Sequence, residues 1–291
     1  MPKQLSRCAE IERSIITKFR KGIWTKFLQA VKSYKLIGEG DKIAVCVSGG
    51  KDSMLLAKCI QELKRHSDIN FEVEYFVMNP GYNPENLALI KSNLELLEIP
   101  ATIYDSDIFD VNELIGGEHP CYLCARMRRG FLYARAKELG CNKIALGHHL
   151  SDVIETTLMS MLFGGQIQGM MPKIKSHNFE GMELIRPLYC VNEDDIVHWK
   201  EYNKLQFIAC ACKLTANLSL GEQGQSGRQD IKKLIKDFRT RNPDVDASIF
   251  KSLHNVQLET LPSFKYKGET FDFNTKYEKG ISVTVKEDTQ S

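Results

Sequence analysis

Residues 48–53 read Ser-Gly-Gly-Lys-Asp-Ser and directly follow the apolar run 43–47. This order predicts a buried strand, a tight glycine turn and then a helix. The two glycines let the backbone approach a ligand closely, and the free N–H groups at the start of a helix attract an anion. The serines add hydroxyl donors and the lysine adds a mobile positive charge. The segment therefore predicts a phosphate-binding loop rather than an ordinary glycine turn.

A Walker A loop is excluded, because that loop has four residues between its first glycine and Gly-Lys-Ser/Thr. The sequence of residues 48–53 instead resembles the pyrophosphate loop of the ATP pyrophosphatases, Ser-Gly-Gly-x-Asp-Ser. This resemblance implies an enzyme that cleaves ATP between the α- and β-phosphates and adenylates a carbonyl oxygen. The oxygen then leaves with AMP.

A second group of reactive side chains is the pair Cys121 and Cys124, which a run of arginines follows. In a reducing compartment a close cysteine pair indicates metal or redox chemistry rather than a structural disulfide. Three interpretations stay open. The pair could hold a 4Fe-4S cluster together with Cys210 or Cys212, which would leave one iron free. It could be half of a zinc site, although the second pair has poor spacing for zinc. It could also be a thioredoxin-like redox pair.

A second strand–turn–helix pattern lies at residues 143–157. Its helix begins with Asp152 and Glu155 in the first turn, where carboxylates stabilise the helix dipole. Beside a phosphate loop, Asp152 could also hold Mg²⁺ against the phosphates of ATP. His148 and His149 precede this helix and are either hydrogen-bonding loop residues or nucleotide contacts.

The rest of the chain alternates short apolar runs with helical periodicity, which predicts βαβ units, a parallel sheet and an α/β fold. Strands are predicted at 42–47, 72–78, 100–104, 143–146 and 183–186. Helices are predicted at 53–66, 84–97, 122–139, 151–164, 193–204, 228–240 and 246–256. Ligands of such sheets bind at the carboxyl ends of the strands, which is where the phosphate loop lies. A polar loop is predicted at 213–227, and residues 266–270 could form a hairpin or be disordered.

The N-terminal region has a different pattern. Apolar residues recur every fourth position over residues 10–36 with basic residues between them, which predicts one long amphipathic helix. Residues 1–35 contain nine Lys or Arg and two Glu, which leaves a local net charge of +7. The basic face is either solvated or in contact with an RNA backbone.

Bulk composition is compatible with one large domain and extensions. The chain has 291 residues, a net charge of +2 and 43% hydrophobic residues, enough for a substantial core. We see no apolar segment of transmembrane length and no apolar signal core, so a cytoplasmic protein without membrane contact is expected. The predicted units are a basic helix (1–37), the nucleotide-binding domain with the cysteines (38–212), a loop with C-terminal helices (213–260) and a charged tail (261–291).

Several segments together resemble the tRNA 2-thiocytidine synthetase family, a group of tRNA sulfurtransferases within the pyrophosphate-loop (PP-loop) ATP pyrophosphatases. The arrangement Cys-x-Leu-Cys-x-Arg-x-Arg-Arg-Gly at residues 121–130 is the most characteristic of them. The others are 39–42, 48–53, 147–156 and 185–188, and the similarity extends over about residues 35–256. The related 2-thiouridine synthetases typically carry additional cysteine pairs at their termini, which this chain lacks. The thiocytidine branch therefore fits better.

The resemblance implies a reaction. The C2 carbonyl oxygen of a tRNA base, which the resemblance implies to be a cytidine in the anticodon loop, attacks the α-phosphate of ATP, and pyrophosphate leaves. Sulfur from a 4Fe-4S cluster then displaces AMP and gives 2-thiocytidine. The implied partners are tRNA and a cysteine desulfurase or another sulfur donor, and a homodimer through the N-terminal helix is expected by resemblance.

Residue roles follow from the same positions. The implied ATP-binding residues are Ser48, Gly49, Gly50, Lys51, Asp52, Ser53, Gly147 and His148. The implied catalytic residues are Asp52, Lys51, Asp152 and Arg128, with Asp152 also placing Mg²⁺. The implied cluster ligands are Cys121, Cys124 and Cys210, with Cys212 as the alternative to Cys210. The implied RNA contacts are Arg20, Lys21 and Arg129.

Other functions compete with this one. The thiolated base could be a uridine, or the acceptor could be a small-molecule precursor. A non-catalytic RNA-binding or iron-sensing protein is a different class, and the intact phosphate loop argues against it. A synthetase that uses ammonia would leave the cysteine pair unexplained.

Overall fold

The computed structural model describes residues 5–109, 111, 120–208, 227–274 and 277, and for residues 120–122 it describes the backbone alone. Its centre is a six-stranded sheet with the order β3-β2-β1-β4-β6-β5. The strands are β1 (Lys42–Cys46), β2 (Glu72–Asn79), β3 (Ala101–Asp105), β4 (Lys143–Ala145), β5 (Lys173–Lys175) and β6 (Glu183–Ile185). All neighbours are parallel except β5, which pairs antiparallel with β6. The predicted parallel α/β sheet is confirmed. The edge strand β5 has no counterpart in the prediction, because three residues are too few to show a pattern.

The strand order reverses direction beside β1. The chain runs outward from β1 through β2 to β3, and then β4 pairs with the opposite side of β1. Ligands of open α/β sheets bind at such a switch point, outside the carboxyl ends of the strands. The phosphate loop follows β1 and the turn with Gly147 follows β4, so both predicted nucleotide segments meet there.

Helices cover both faces of the sheet. They are α3 (Lys51–His66), α4 (Pro84–Leu96), α5 (Pro120–Glu138), α6 (Leu150–Leu162) and α7 (Glu193–Tyr202). Helix α3 is the most deeply buried of them, and its Met54, Leu55 and Leu56 have no exposed surface. Because α3 begins at the phosphate loop, the apolar packing of this helix fixes the position of the loop.

The N-terminal segment differs from the prediction of one helix over residues 10–36. It consists of α1 (Arg7–Ile16), a π-helical turn (Arg20–Trp24) and α2 (Thr25–Ser33). Two local features explain the break. Thr17 turns its hydroxyl back onto the carbonyl of Arg13 and leaves helical geometry. Gly22 lets the Asp195 carboxylate approach so closely that a Cβ at this position would lie 2.4 Å from Oδ1.

The C-terminal region adds two helices and a hairpin. Helices α8 (Gly227–Arg241) and α9 (Val245–Ser252) precede a short 3₁₀ turn (Leu258–Thr260). Strands β7 (Phe264–Tyr266) and β8 (Glu269–Phe271) form an antiparallel pair, which confirms the hairpin alternative. The predicted loop at 213–227 lies outside the described residues except for Gly227, where α8 begins. In the part of the chain that the structure describes, we find no helix both long and apolar enough to cross a membrane.

Candidate active site

The phosphate loop is held in shape by its own polar groups. The backbone N–H of Ser48 donates to Ser53 Oγ at 3.0 Å, and this hydroxyl donates to the carbonyl of Gly50 at 3.0 Å. Gly49 has φ +83°, and a Cβ there would lie 2.5 Å from the side chain of Ile90, so only glycine fits. Gly50 supplies no side-chain cap to α3. The first N–H groups of the helix therefore face an anion-binding position with no competing side-chain acceptor from the capping residue.

A cavity of about 430 Å³ opens at the switch point. The loop forms one side of it, and one face of α5 forms another. The turn after β4 lies between them, and Gly147 is needed there because a Cβ would lie 3.0 Å from the backbone of Asp52 and Ser53. The lining consists of Cys46, Val47, Ser48, Asp52, Ser53, Met78, Tyr82, Ala125, Arg128, Arg129, Leu132, Leu146, Gly147, His148 and Asp152.

Several buried polar atoms in and beside this cavity have no hydrogen-bond partner among the described residues. They are Arg128 Nε, His148 Nδ1 and, outside the lining, Arg186 Nε. An unsatisfied buried polar atom costs about 1–3 kcal/mol, so a cluster of them indicates a missing ligand. All three are nitrogen atoms, and two of them belong to arginines. This set fits an anionic group such as a phosphate.

Lys51 is directed toward α7 rather than into the cavity. Its Nζ lies 3.0 Å from Glu193 Oε1 and 3.2 Å from Asp52, and Glu193 Oε2 accepts from Lys232 of α8 at 3.1 Å. Burial alone would lower the pKa of Lys51, but Asp52 and Glu193 outweigh burial and raise it. Burial alone would raise the pKa of Glu193, but its hydrogen bonds and charge contacts with the two lysines lower it to about 2. Lys51 and Glu193 are therefore both charged at neutral pH.

Asp152 is bound on both carboxylate oxygens. Oδ1 accepts from Arg228 Nη2 of α8, and Oδ2 accepts from the backbone N–H of His149 at 3.0 Å. Arg228 Nε also donates to Glu155 at 2.7 Å. Burial alone would raise the pKa of Asp152, but the contacts with His149 and Arg228 lower it. A magnesium ion at Asp152 would therefore compete with the guanidinium of Arg228.

The two histidines have different roles in the structure. His149 caps α6 through Nδ1, with Asp152 completing the capping box. His148 lines the cavity instead, and burial, assisted by the nearby Arg186, lowers its pKa to about 4. Neutral His148 can donate or accept a hydrogen bond in the cavity without bringing a charge.

The cysteine pair lies on α5, the helix that forms a wall of the cavity. Cys124 is 8% exposed and packs in a small cluster with Met78 and Ile108. The next residue, Ala125, and Arg128 one turn later both line the cavity. Cys121 lies one helical turn before Cys124, and its side chain is outside the described residues, as are Cys210 and Cys212. Within the described ranges, no group of three or more His, Cys, Asp or Glu is arranged to hold a metal.

The predicted RNA contacts fall in two separate places. Arg129 lines the cavity, whereas Arg20 and Lys21 are exposed on the π-helical turn of the N-terminal segment. Arg228, Lys232 and Glu193 were not predicted as site residues at all. The only feature that marks these residues in the sequence is charge on a helix face. Solvated helices share this feature, so the sequence pattern does not identify them as site residues.

The fold and the loop define a class of protein. The PP-loop domain family matches residues 21–212. A solved structure with the same fold is the U34-tRNA thiolase NcsA from Methanococcus maripaludis with its [4Fe-4S] cluster. Its TM-score is 0.62 at 22% identity, and the alignment covers 81% of this chain and 78% of that chain. The chain described here is therefore a PP-loop protein.

Relatives with higher sequence identity show which family of PP-loop proteins the chain belongs to. The tRNA-cytidine(32) 2-sulfurtransferase of Neisseria meningitidis serogroup C is 37% identical over 84% of this chain and 73% of its own length. Those of Aliivibrio salmonicida and Vibrio vulnificus are each 34% identical. The alignment with the A. salmonicida protein covers 93% of this chain and 85% of that protein, and the alignment with the V. vulnificus protein covers 94% and 86%. The chain belongs to the family of the tRNA-cytidine(32) 2-sulfurtransferases.

Proposed function

We propose that this protein uses ATP to replace the C2 oxygen of a tRNA cytidine by sulfur. The observation that carries the proposal is that the phosphate loop and the cysteine-bearing helix α5 form two sides of one cavity. A sulfurtransferase that activates a base with ATP needs the α-phosphate and the sulfur source within reach of the same carbon atom. The family assignment supports the same conclusion.

The loop side of the cavity would bind the phosphates of ATP. Ser48 and Ser53 present hydroxyl groups there, and the uncapped start of α3 presents N–H groups. The C2 oxygen of the base would then attack the α-phosphorus as the bond to the β-phosphate breaks. Pyrophosphate leaves, and the base carries an adenylyl group on oxygen. This step is needed because a carbonyl oxygen is a poor leaving group.

The α5 side would bind the charge that develops on the α-phosphate. Arg128 and Arg129 line the cavity on this helix, and Arg128 Nε is buried with no hydrogen-bond partner in the described residues. A preorganised donor at such a position typically contributes 10²–10³-fold to the rate. Neutral His148, which also lines the cavity, is available as an additional donor or acceptor.

We infer that Cys121, Cys124 and Cys210, or Cys212 in place of Cys210, hold a 4Fe-4S cluster. The described residues fit this group as far as they extend, because Cys124 is buried against the cavity wall and Cys121 lies one turn away on the same helix. The structurally similar thiolase NcsA has such a cluster. When bound, the cluster would supply sulfide for attack on C2, with AMP as the leaving group. The sulfur itself would come from a cysteine desulfurase or another donor.

Magnesium would accompany the pyrophosphate. Asp152 is the family-derived ligand, but Arg228 already binds its carboxylate. Asp52 also lines the cavity, and its carboxylate is paired with Lys51, whose Nζ lies 3.2 Å from Oδ1. Each carboxylate therefore has a cationic partner in this chain, and Mg²⁺ would bind at Asp152 or Asp52 by displacing that partner.

The test is mass spectrometry of nucleosides from bulk tRNA, in cells with and without the gene. Loss of 2-thiocytidine, restored by the wild-type gene and not by Asp52→Ala, is the expected result. Loss of a thiouridine instead would support the same reaction with a uridine as the target base. No change in any thionucleoside would contradict a function in tRNA thiolation and favour a small-molecule acceptor.

A further inference from the structure

An exposed apolar surface follows helix α6. Five large apolar side chains within eleven residues are between 45% and 62% exposed: Met161, Leu162, Phe163, Ile167 and Met171. Ile174 on β5 continues the surface with 40% exposure. We call residues 161–174 the apolar platform. Single exposed apolar residues are ordinary, but this density in the described part of the chain marks an interaction surface.

The apolar platform itself contains no carboxylate. The sequence has no Asp or Glu between Glu155 and Glu180, and Lys173 lies at the end of the platform. The next lysine, Lys175, lies outside the platform and shares a pocket with Glu180 and Glu183. An apolar segment with a lysine and no carboxylate is complementary to a polyanion that also offers flat apolar faces, which describes unpaired RNA bases on a phosphate backbone.

The backbone of the apolar platform is fixed by hydrogen bonds. The N–H groups of Gly164 and Gln166 donate to the last carbonyls of α6, at 3.2 and 2.9 Å. Tyr189 Oη donates to the carbonyl of Met170 at 2.7 Å, and Arg186 Nη1 donates to that of Met171. Because the backbone is already anchored, only the side chains of the platform become ordered on binding.

The apolar platform is joined to the cavity through Arg186. This residue follows β6, whose last carbonyl, that of Ile185, accepts from Leu146 in the cavity lining at 3.1 Å. The charge of Arg186 also acts on His148, and that of Asp152 acts on Arg186. The side chain that holds Met171 therefore lies beside the residues that line the nucleotide cavity.

We propose that the apolar platform binds the unpaired bases that flank the target base in an RNA loop, by stacking and apolar contact. This inference rests on the proposed tRNA thiolation and assigns a binding surface to that substrate. Lys173, at the end of the platform, contacts a phosphate, and the cavity beside Arg186 receives the target base. Base stacking is sequence-tolerant, so the platform contributes affinity for a single-stranded loop rather than for one base.

The test compares Ile167→Ser/Met171→Ser with the control Ile69→Ser/Leu96→Ser. The control residues are also exposed, at 38% and 37%, and precede β2 and β3 at the opposite edge of the sheet. Affinity for bulk tRNA and for an ATP analogue is measured on the full chain. We expect the platform variant to bind tRNA about 5- to 100-fold more weakly with unchanged affinity for the analogue, from the apolar surface that the two side chains would bury against the bases. The control should match the wild type.

The outcomes separate this inference from the proposed function. If the wild-type protein itself neither binds nor thiolates tRNA, the proposed function is wrong. If the wild type thiolates tRNA and the platform variant binds it equally well, the inference alone is overturned. The inference also fails if the variant changes the sedimentation of the protein and leaves tRNA affinity intact, because the platform then contacts protein.

Discussion

The two sides of the cavity differ in whether their charged groups are paired within the protein. On the loop side, Asp52, Lys51, Glu193 and Lys232 form a continuous chain of ion pairs that reaches α8. On the α5 side, the buried Nε of Arg128 has no hydrogen-bond partner within the described residues. The charged side chains of the loop side are therefore paired with one another before any ligand binds, whereas the α5 side contains a buried donor atom that an anion would satisfy.

This difference indicates that the loop side positions ATP, whereas the α5 side stabilises the charge that develops during the reaction. A paired lysine and carboxylate hold a loop in one geometry, and their mutual attraction reduces the pull that either exerts on a ligand. An unpaired buried donor instead gains its full hydrogen-bond energy when charge appears beside it. We therefore expect substitutions on the α5 side to impair turnover and substitutions on the loop side to impair ATP binding.

The largest effect is expected at the sulfur site. Cys124→Ala should abolish thionucleoside formation, because the proposed cluster loses a ligand, while ATP affinity stays close to that of the wild type. Cys141→Ala is the matched control, since Cys141 is equally buried but belongs to a different apolar cluster. Thionucleoside analysis and ATP titration measure the two quantities. Parallel loss of ATP binding would mean that Cys124 acts through packing.

The next largest effect is expected at Arg128. Arg128→Gln should reduce kcat about 10²–10³-fold with little change in KM for ATP, as for removal of one preorganised donor. Arg126→Gln is the control, because Arg126 lies on the same helix and is exposed. Steady-state release of pyrophosphate with tRNA present provides both parameters. Equal effects of the two substitutions would indicate general attraction of RNA rather than a donor at the reacting phosphate.

On the loop side, Glu193→Gln should raise KM for ATP about tenfold and change kcat less than threefold. The substitution removes the charge that pairs with Lys51 and Lys232, so the phosphate loop is no longer held in one geometry. A hydrogen bond to a charged group contributes about 1.5–3 kcal/mol, which sets the size of the effect. Asp194→Asn is the control, since Asp194 pairs with Arg239 and is 65% exposed. A kcat defect as large as that of Arg128→Gln would contradict the division between the two sides.

The smallest effect concerns stability. Burial lowers the pKa of His148 from its ordinary 6.5 to about 4. Between pH 6.5 and pH 4 this histidine is therefore protonated in the unfolded chain and neutral in the folded chain. The free energy of unfolding should therefore fall as pH falls through this window. Between pH 7 and pH 5 the wild type should lose about 2 kcal/mol more than His148→Gln. Urea unfolding at the two pH values measures the difference, and equal losses would show that His148 does not titrate as described.

Much of the fold follows from local sequence pattern, because its strands are apolar and its turns carry glycine. The loop at 48–53 and the turn at 147 are confirmed as neighbours, since parallel strands bring their carboxyl ends to one edge. The break of the N-terminal helix was missed because the apolar pattern shows neither the turn of the Thr17 hydroxyl onto Arg13 nor the approach of Asp195, which is remote in sequence, to Gly22. The ion pairs of Arg228 with α6 were missed for the same reason, since they join residues 73 and 76 positions apart.

We expect the α-phosphate of ATP to lie between the phosphate loop and α5, in the cavity at the switch point. A crystal structure with a non-hydrolysable ATP analogue is the first experiment to make. The phosphates should lie at Ser48 and Ser53, with Arg128 or His148 in hydrogen-bond contact with the α-phosphate. Phosphates bound away from the loop, or an α-phosphate facing away from α5, would show that the two sides of the cavity do not act on the same ligand.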